Sequence, residues 1–123
     1  MKVLMSIKPE FANKIFAGEK RFEFRRAIFK NKDIEKVLVY ASSPVQKVIG
    51  EFEIDDILDY DIETLWSETS QASGISKQYF DQYFKGKEQG YAIKIKNIRK
   101  YQKPLCIKED FNIIPPQSFA YVA

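Results

Sequence analysis

The chain has 123 residues, with 20 lysines and arginines against 17 acids for a net charge of +3, and 45% apolar composition. That length holds one domain, residues 1–123, with a core that needs no disulfide or structural metal. Zero histidines and one cysteine leave no donor set for a zinc or copper site, and no apolar run approaches the roughly eighteen residues of a membrane span.

Val3–Lys8 reads as a strand, and Pro9 suits the first position of a helix, where its missing N–H is not needed. Phe11 with Ile15 and Ala12 with Phe16 are four-residue apolar pairs, and Gly18 offers a stop, so a short helix is predicted over 9–17. The stretch Gly18–Arg26, GEKRFEFRR, follows. If Arg21–Arg25 is extended, Phe22 and Phe24 face the core while Arg21, Glu23 and Arg25 share the opposite face, with Lys20 free at the turn. A polar turn at 30–36 leads to a strand over Val37–Ala41 and a Ser42-Ser43-Pro44 loop. Val48–Ile54 alternates as a strand, and Gly50 within it predicts a bulge or a close backbone approach. A helix is expected at 61–69 with Asp61 near its start, then a loop at 70–74. Ser76 is the expected N-cap of a helix over 77–85 that packs through Tyr79, Phe80, Tyr83 and Phe84. Tyr91–Ile98 alternates cleanly, Pro104 marks a bend, Leu105–Ile107 reads as a brief strand, and Ser118–Val122 as a last extended piece. The fold class is α+β: a curved mixed or antiparallel sheet with about three short helices.

Charge is unevenly spread. Residues 53–68 carry seven acids and no base, and residues 85–108 carry eight bases and one acid. The first segment is expected as a negative loop, and the second as a positive surface that attracts an anion. The lone Cys106, between Leu105 and Ile107, suits a packed thiol in a reducing compartment, which points to the cytoplasm. Pro9-Glu10 interrupts the N-terminus before any segment of signal-peptide length develops.

Lys20, Arg21, Arg25 and Arg26 are the strongest local reason to expect an anionic ligand, since arginine forks and lysine point charges both suit phosphate. Glu23 either pairs with a neighbouring arginine or acts in a cleft, accepting a hydrogen bond from a base or a proton from a substrate. Ser42 and Ser43 are candidates for the rim of such a cleft. Tyr91, with Tyr40 and Tyr101, is a candidate stacking platform. Lys94, Lys96 and Arg99 either extend the phosphate-binding surface or form a solvated strand edge. Glu51 is a candidate to join Glu23.

Gly18, Lys20, Glu23 and Arg25 match the G-x-K-x-x-E-x-R pattern of the ASCH domain, within the PUA-like superfamily, and Gly50-Glu51-Phe52 and Gly90-Tyr91-Ala92-Ile93 follow in the right order. The chain resembles that family over essentially its whole length. The resemblance implies a small β-barrel with helices around it and a cleft near the Lys-Glu-Arg group. It implies binding of RNA, single-stranded nucleic acid or a modified nucleotide; separately, the lack of histidines and of any glycine-rich phosphate loop leads us to expect no metal and no cofactor. The alternative that it implies is a small hydrolase, a ribonuclease or an enzyme like the N4-acetylcytidine amidohydrolases, working through Lys20 and Glu23. The amidohydrolase branch has threonine where this chain has Glu23, which weighs against that mechanism.

Overall fold

Val3, Leu4 and Met5 are wholly shielded from solvent, so the first strand carries a continuous apolar run instead of an alternating one. The computed structural model describes all residues, Met1–Ala123. Strand β1 (Lys2–Ile7) pairs in parallel with β3 (Lys36–Ala41) and antiparallel with β6 (Phe119–Val122). Its parallel partner requires a crossover. Helix α1 (Pro9–Phe16) and strand β2 (Phe22–Arg25) supply that connection. Strand β4 (Lys47–Asp61) then pairs with β3 on one side and β5 (Gln89–Leu105) on the other. Helices α2 (Ile62–Thr69) and α3 (Lys77–Tyr83) join β4 to β5, and α4 (Ile107–Phe111) precedes β6.

The sheet order is β2-β5-β4-β3-β1-β6. Only β1 and β3 run in parallel, so this is the mixed sheet of the α+β expectation, and it is not a closed barrel because β2 and β6 end it as unpaired edges. Period-two alternation sends Val3, Met5, Val37 and Val39 into the main core and Leu4, Leu38 and Tyr40 into a second one beneath α4. A third cluster joins Phe22 and Phe24 of β2 to Leu65 of α2 and to Phe80 and the adjoining Phe84 of α3.

The local signals read from the chain act as expected. Asp61 Oδ2 accepts a hydrogen bond from the Thr64 N–H at 3.1 Å, and Ser76 Oγ from the Tyr79 N–H at 3.0 Å. At Gly50 a side chain would meet the Phe16 ring at 2.5 Å and the Arg99 carbonyl at 2.6 Å, and the ladder shifts register there. Two expectations are corrected. Residues 53–61 are not a loop but the second half of β4, where Glu53 lies opposite Lys96 and Asp56 opposite Lys94. The acid-rich and base-rich segments are therefore strand partners. Ile107 does not end a strand but opens α4, whose first turn is held by Asp110 Oδ2 accepting from the Cys106 N–H at 2.7 Å.

Candidate functional site

All four residues of β2 are buried, Glu23 and Arg25 included, although alternation directs these two away from the phenylalanine cluster. Their charges meet each other: Arg25 Nη2 lies 2.9 Å from Glu23 Oε2, and each side chain is 9% exposed. Arg25 also reaches across the gap between the two ends of the sheet. Its Nη2 donates to the Ser6 carbonyl of β1 at 3.0 Å and its Nη1 to Ser118 Oγ, just before β6, at 3.2 Å, while Nε has no partner. The open sheet thus curls until one guanidinium spans the space that a barrel would have closed with hydrogen bonds.

Lys20 is 3% exposed, and its Nζ donates to the Ser73 carbonyl at 2.8 Å. The ammonium lies 4.8 Å from the centre of the Phe24 ring and 5.4 Å from that of Phe11. Gly74 makes this fit possible, since a side chain there would come within 2.5 Å of Lys20 Cβ, and its φ of +70° suits glycine. Burial pulls the Lys20 pKa down to about 8; Glu23 opposes the shift, and Lys14 and Arg25 add to it. Near neutral pH this lysine holds its proton far more weakly than an exposed one.

These groups line a cleft of about 640 Å³ in the gap between the sheet ends. Ser6, Ile7 and Lys8 at the end of β1 form one wall with Pro115–Ser118, and Tyr40, Ser42, Ser43 and Gln46 form another. Four cations (Lys8, Lys20, Arg25, Arg26) and one acid (Glu23) are among the lining residues. Helix α3 contributes Tyr79 and Tyr83, whose rings lie 6.5 Å apart and nearly parallel at 11°. Lys8 Nζ sits 5.3 Å from the Tyr79 ring centre. The Tyr83 hydroxyl donates to the Phe24 carbonyl at 3.2 Å, and burial raises its pKa. Cationic side chains beside partly exposed aromatic faces form a surface suited to a phosphate-linked base.

The ASCH domain family model matches residues 5–104. The chain belongs to the ASCH family. Its curved mixed sheet places it with the PUA-like superfamily. The ASCH domain-containing ribonuclease of Zymomonas mobilis is 32% identical over 98% of this chain and 84% of its own length. The crystal structure of the ASCH protein from Zymomonas mobilis superposes with a TM-score of 0.91 at 32% identity, over 99% of this chain and 87% of that one. The large ribosomal subunit protein uL22 of Ureaplasma parvum is 33% identical over 98% of this chain, which spans only 39% of that relative's length.

Within this ASCH domain the motif residues Lys20, Glu23 and Arg25 converge on one cleft, together with Arg26, Ser42, Ser43 and Tyr40. The other candidates lie elsewhere. Arg21 is exposed outside the cleft, and its backbone ties to Ala72 and Ile95. Tyr91 lines a separate concavity. Lys94 and Lys96 approach Asp55 at 3.7 and 4.0 Å, so the basic segment does not continue the cleft but offsets acids on β4. Arg99 lies 5.8 Å from the Tyr101 ring centre, and the Tyr101 hydroxyl donates to Glu51. Glu51 also pairs with Lys36 at 2.8 Å and does not join Glu23. Sequence reading missed Ser6, Lys8, Phe11 and Pro115–Ser118, and put Tyr79 and Tyr83 wholly into packing. The four-residue spacing of those tyrosines shows a shared face, but not what that face meets.

Proposed function

We propose that this ASCH domain binds single-stranded RNA in the cleft and cleaves it there. The observation that supports this reading is Lys20, a buried amine of depressed basicity held beside cations inside a cleft open to a ligand. Strand cleavage needs a group that takes the proton of the ribose 2′-hydroxyl as its oxygen bonds to phosphorus and the bond to the 5′-oxygen breaks. In its neutral form, Lys20 serves as that base. The leaving 5′-oxygen takes its proton from water, and the products are a 2′,3′-cyclic phosphate and a 5′-hydroxyl. Arg26 and Lys8 at the cleft face the phosphates, and Tyr79 and Tyr83 hold a base. Glu23 is engaged by Arg25, so its role is to fix the guanidinium instead of acting as a free base.

The ribonuclease name of the Zymomonas relative, which this chain matches over nearly all its length, favours this chemistry. The satisfied Glu23–Arg25 pair favours a second reading, an RNA-binding module without catalysis, because it leaves the cleft no free carboxylate. The deciding experiment incubates end-labelled single-stranded RNA, and DNA of the same sequence, with wild type and Lys20→Ala. Cleavage of RNA alone, with cyclic phosphate ends by mass spectrometry and loss of product in the variant, is expected. Binding without product would leave the module reading in place, and full activity in Lys20→Ala would remove this lysine from the chemistry.

A further inference from the structure

A second concavity, of about 570 Å³, adjoins the cleft and shares Arg26 and Ala27 with it. Three cations (Arg26, Lys30, Lys87) and one acid (Glu88) line it, together with Tyr91. None of the three cations has a carboxylate within ion-pairing distance, in contrast to Lys94 and Lys96 on the neighbouring strand. Both walls are held by the fold. The N–H groups of Lys30 and Asn31 donate to the Tyr121 hydroxyl at 3.2 and 3.3 Å. Opposite them, the Lys87 N–H donates to the Phe84 carbonyl at 2.9 Å, and the Glu88 carbonyl accepts from Ile62 at 3.1 Å. These cations are exposed, unneutralised and carried on anchored backbone.

We propose that this concavity is a flanking-nucleotide subsite: the RNA strand leaves the cleft past Arg26, its next phosphates meet Lys30 and Lys87, and a base lies against Tyr91. The proposal rests on the RNA reading of the cleft and adds to it a direction for the strand and a preference for length. A ligand confined to the cleft, such as a lone nucleoside, gains nothing from these side chains. A single strand crossing Arg26 gains two phosphate contacts and an aromatic face.

The test compares a dimer and a hexamer of 2′-O-methyl uridylate, which lack the free 2′-hydroxyl needed for cleavage, by calorimetry or fluorescence anisotropy. Wild type and a Lys30→Gln/Lys87→Gln double variant are titrated over a range of salt. The double variant is expected to bind the hexamer about tenfold more weakly, with a salt slope smaller by roughly 1.4, as losing two single-strand phosphate contacts requires. Its affinity for the dimer is expected to stay that of wild type. An unchanged hexamer affinity in the double variant overturns the subsite and leaves the cleft reading standing. Failure of wild type to bind either length overturns both.

Discussion

The ammonium of Lys20 is drawn out of water, and this desolvation works against the charged form even though one carbonyl and two aromatic rings receive it. With its pKa lowered from 10.5 to about 8, the folded state binds fewer protons than the unfolded state between those two values. Stability therefore rises with pH through that window, by up to about 3 kcal/mol, and the whole cost is present below pH 8. Lys20→Met is expected to remove the slope and to raise stability at pH 7 by about 1–2 kcal/mol, as measured by urea unfolding at pH 7 and pH 9.5. Cleavage by wild type is expected to increase as pH rises through about 8 and then level off. Removing the charge of Glu23 has the opposite effect on stability to removing that of Lys20. Glu23→Gln leaves a buried guanidinium without its counter-charge, and is expected to cost about 2–4 kcal/mol in the same unfolding measurement.

Helix α3 shows how one short element serves two surfaces. Phe80 points inward and is fully buried against Phe24, Trp66 and Phe84, whereas Tyr79 and Tyr83 turn their rings toward the cleft. Substitutions at adjacent positions should therefore separate folding from binding. Phe80→Ala is expected to cost about 3–5 kcal/mol of stability, and thermal unfolding measures that loss. Tyr79→Ala, which gives up an edge contact with Phe11 at 5.0 Å, is expected to lower the melting temperature much less than Phe80→Ala does and to weaken RNA binding about tenfold, the loss of one stacked base. The N-cap bond from Ser76 sets the helix start and so decides which side chains reach which face.

Across the whole molecule the basic side chains fall into two groups that composition cannot separate. Lys94 and Lys96 lie on β5 beside Asp55 of β4, an exposed arrangement whose charges are locally offset. Arg26 lies where the cleft and the second concavity meet. Charge reversal at Lys94 and Lys96 together is expected to change RNA affinity by less than about threefold, whereas Arg26→Glu alone lowers it about tenfold at low salt. Anisotropy titrations of the two variants decide the matter, and equal losses would show that the β5 lysines belong to the interface after all.

Much of the fold was legible because it depends on near neighbours in the chain. Pro9 and Gly18 bound α1, Asp61 and Ser76 cap their helices, Gly50 marks a close approach, and the alternation of β2 separates Phe22 and Phe24 from Glu23 and Arg25. The family pattern at Gly18, Lys20, Glu23 and Arg25 was equally plain. Burial of the charged face was not legible, since what covers Glu23 and Arg25 comes from Ser6 and Ser118, 19 and 93 residues from Arg25. Nor was the cancellation between residues 53–61 and the base-rich strand, which depends on the register of β4 against β5. Periodicity and capping act within a few residues, so the amino-acid sequence by itself determined the elements and the motif. Strand pairing and sheet curvature act between distant segments, so only the tertiary structure decided which charges are neutralised and which line the cleft.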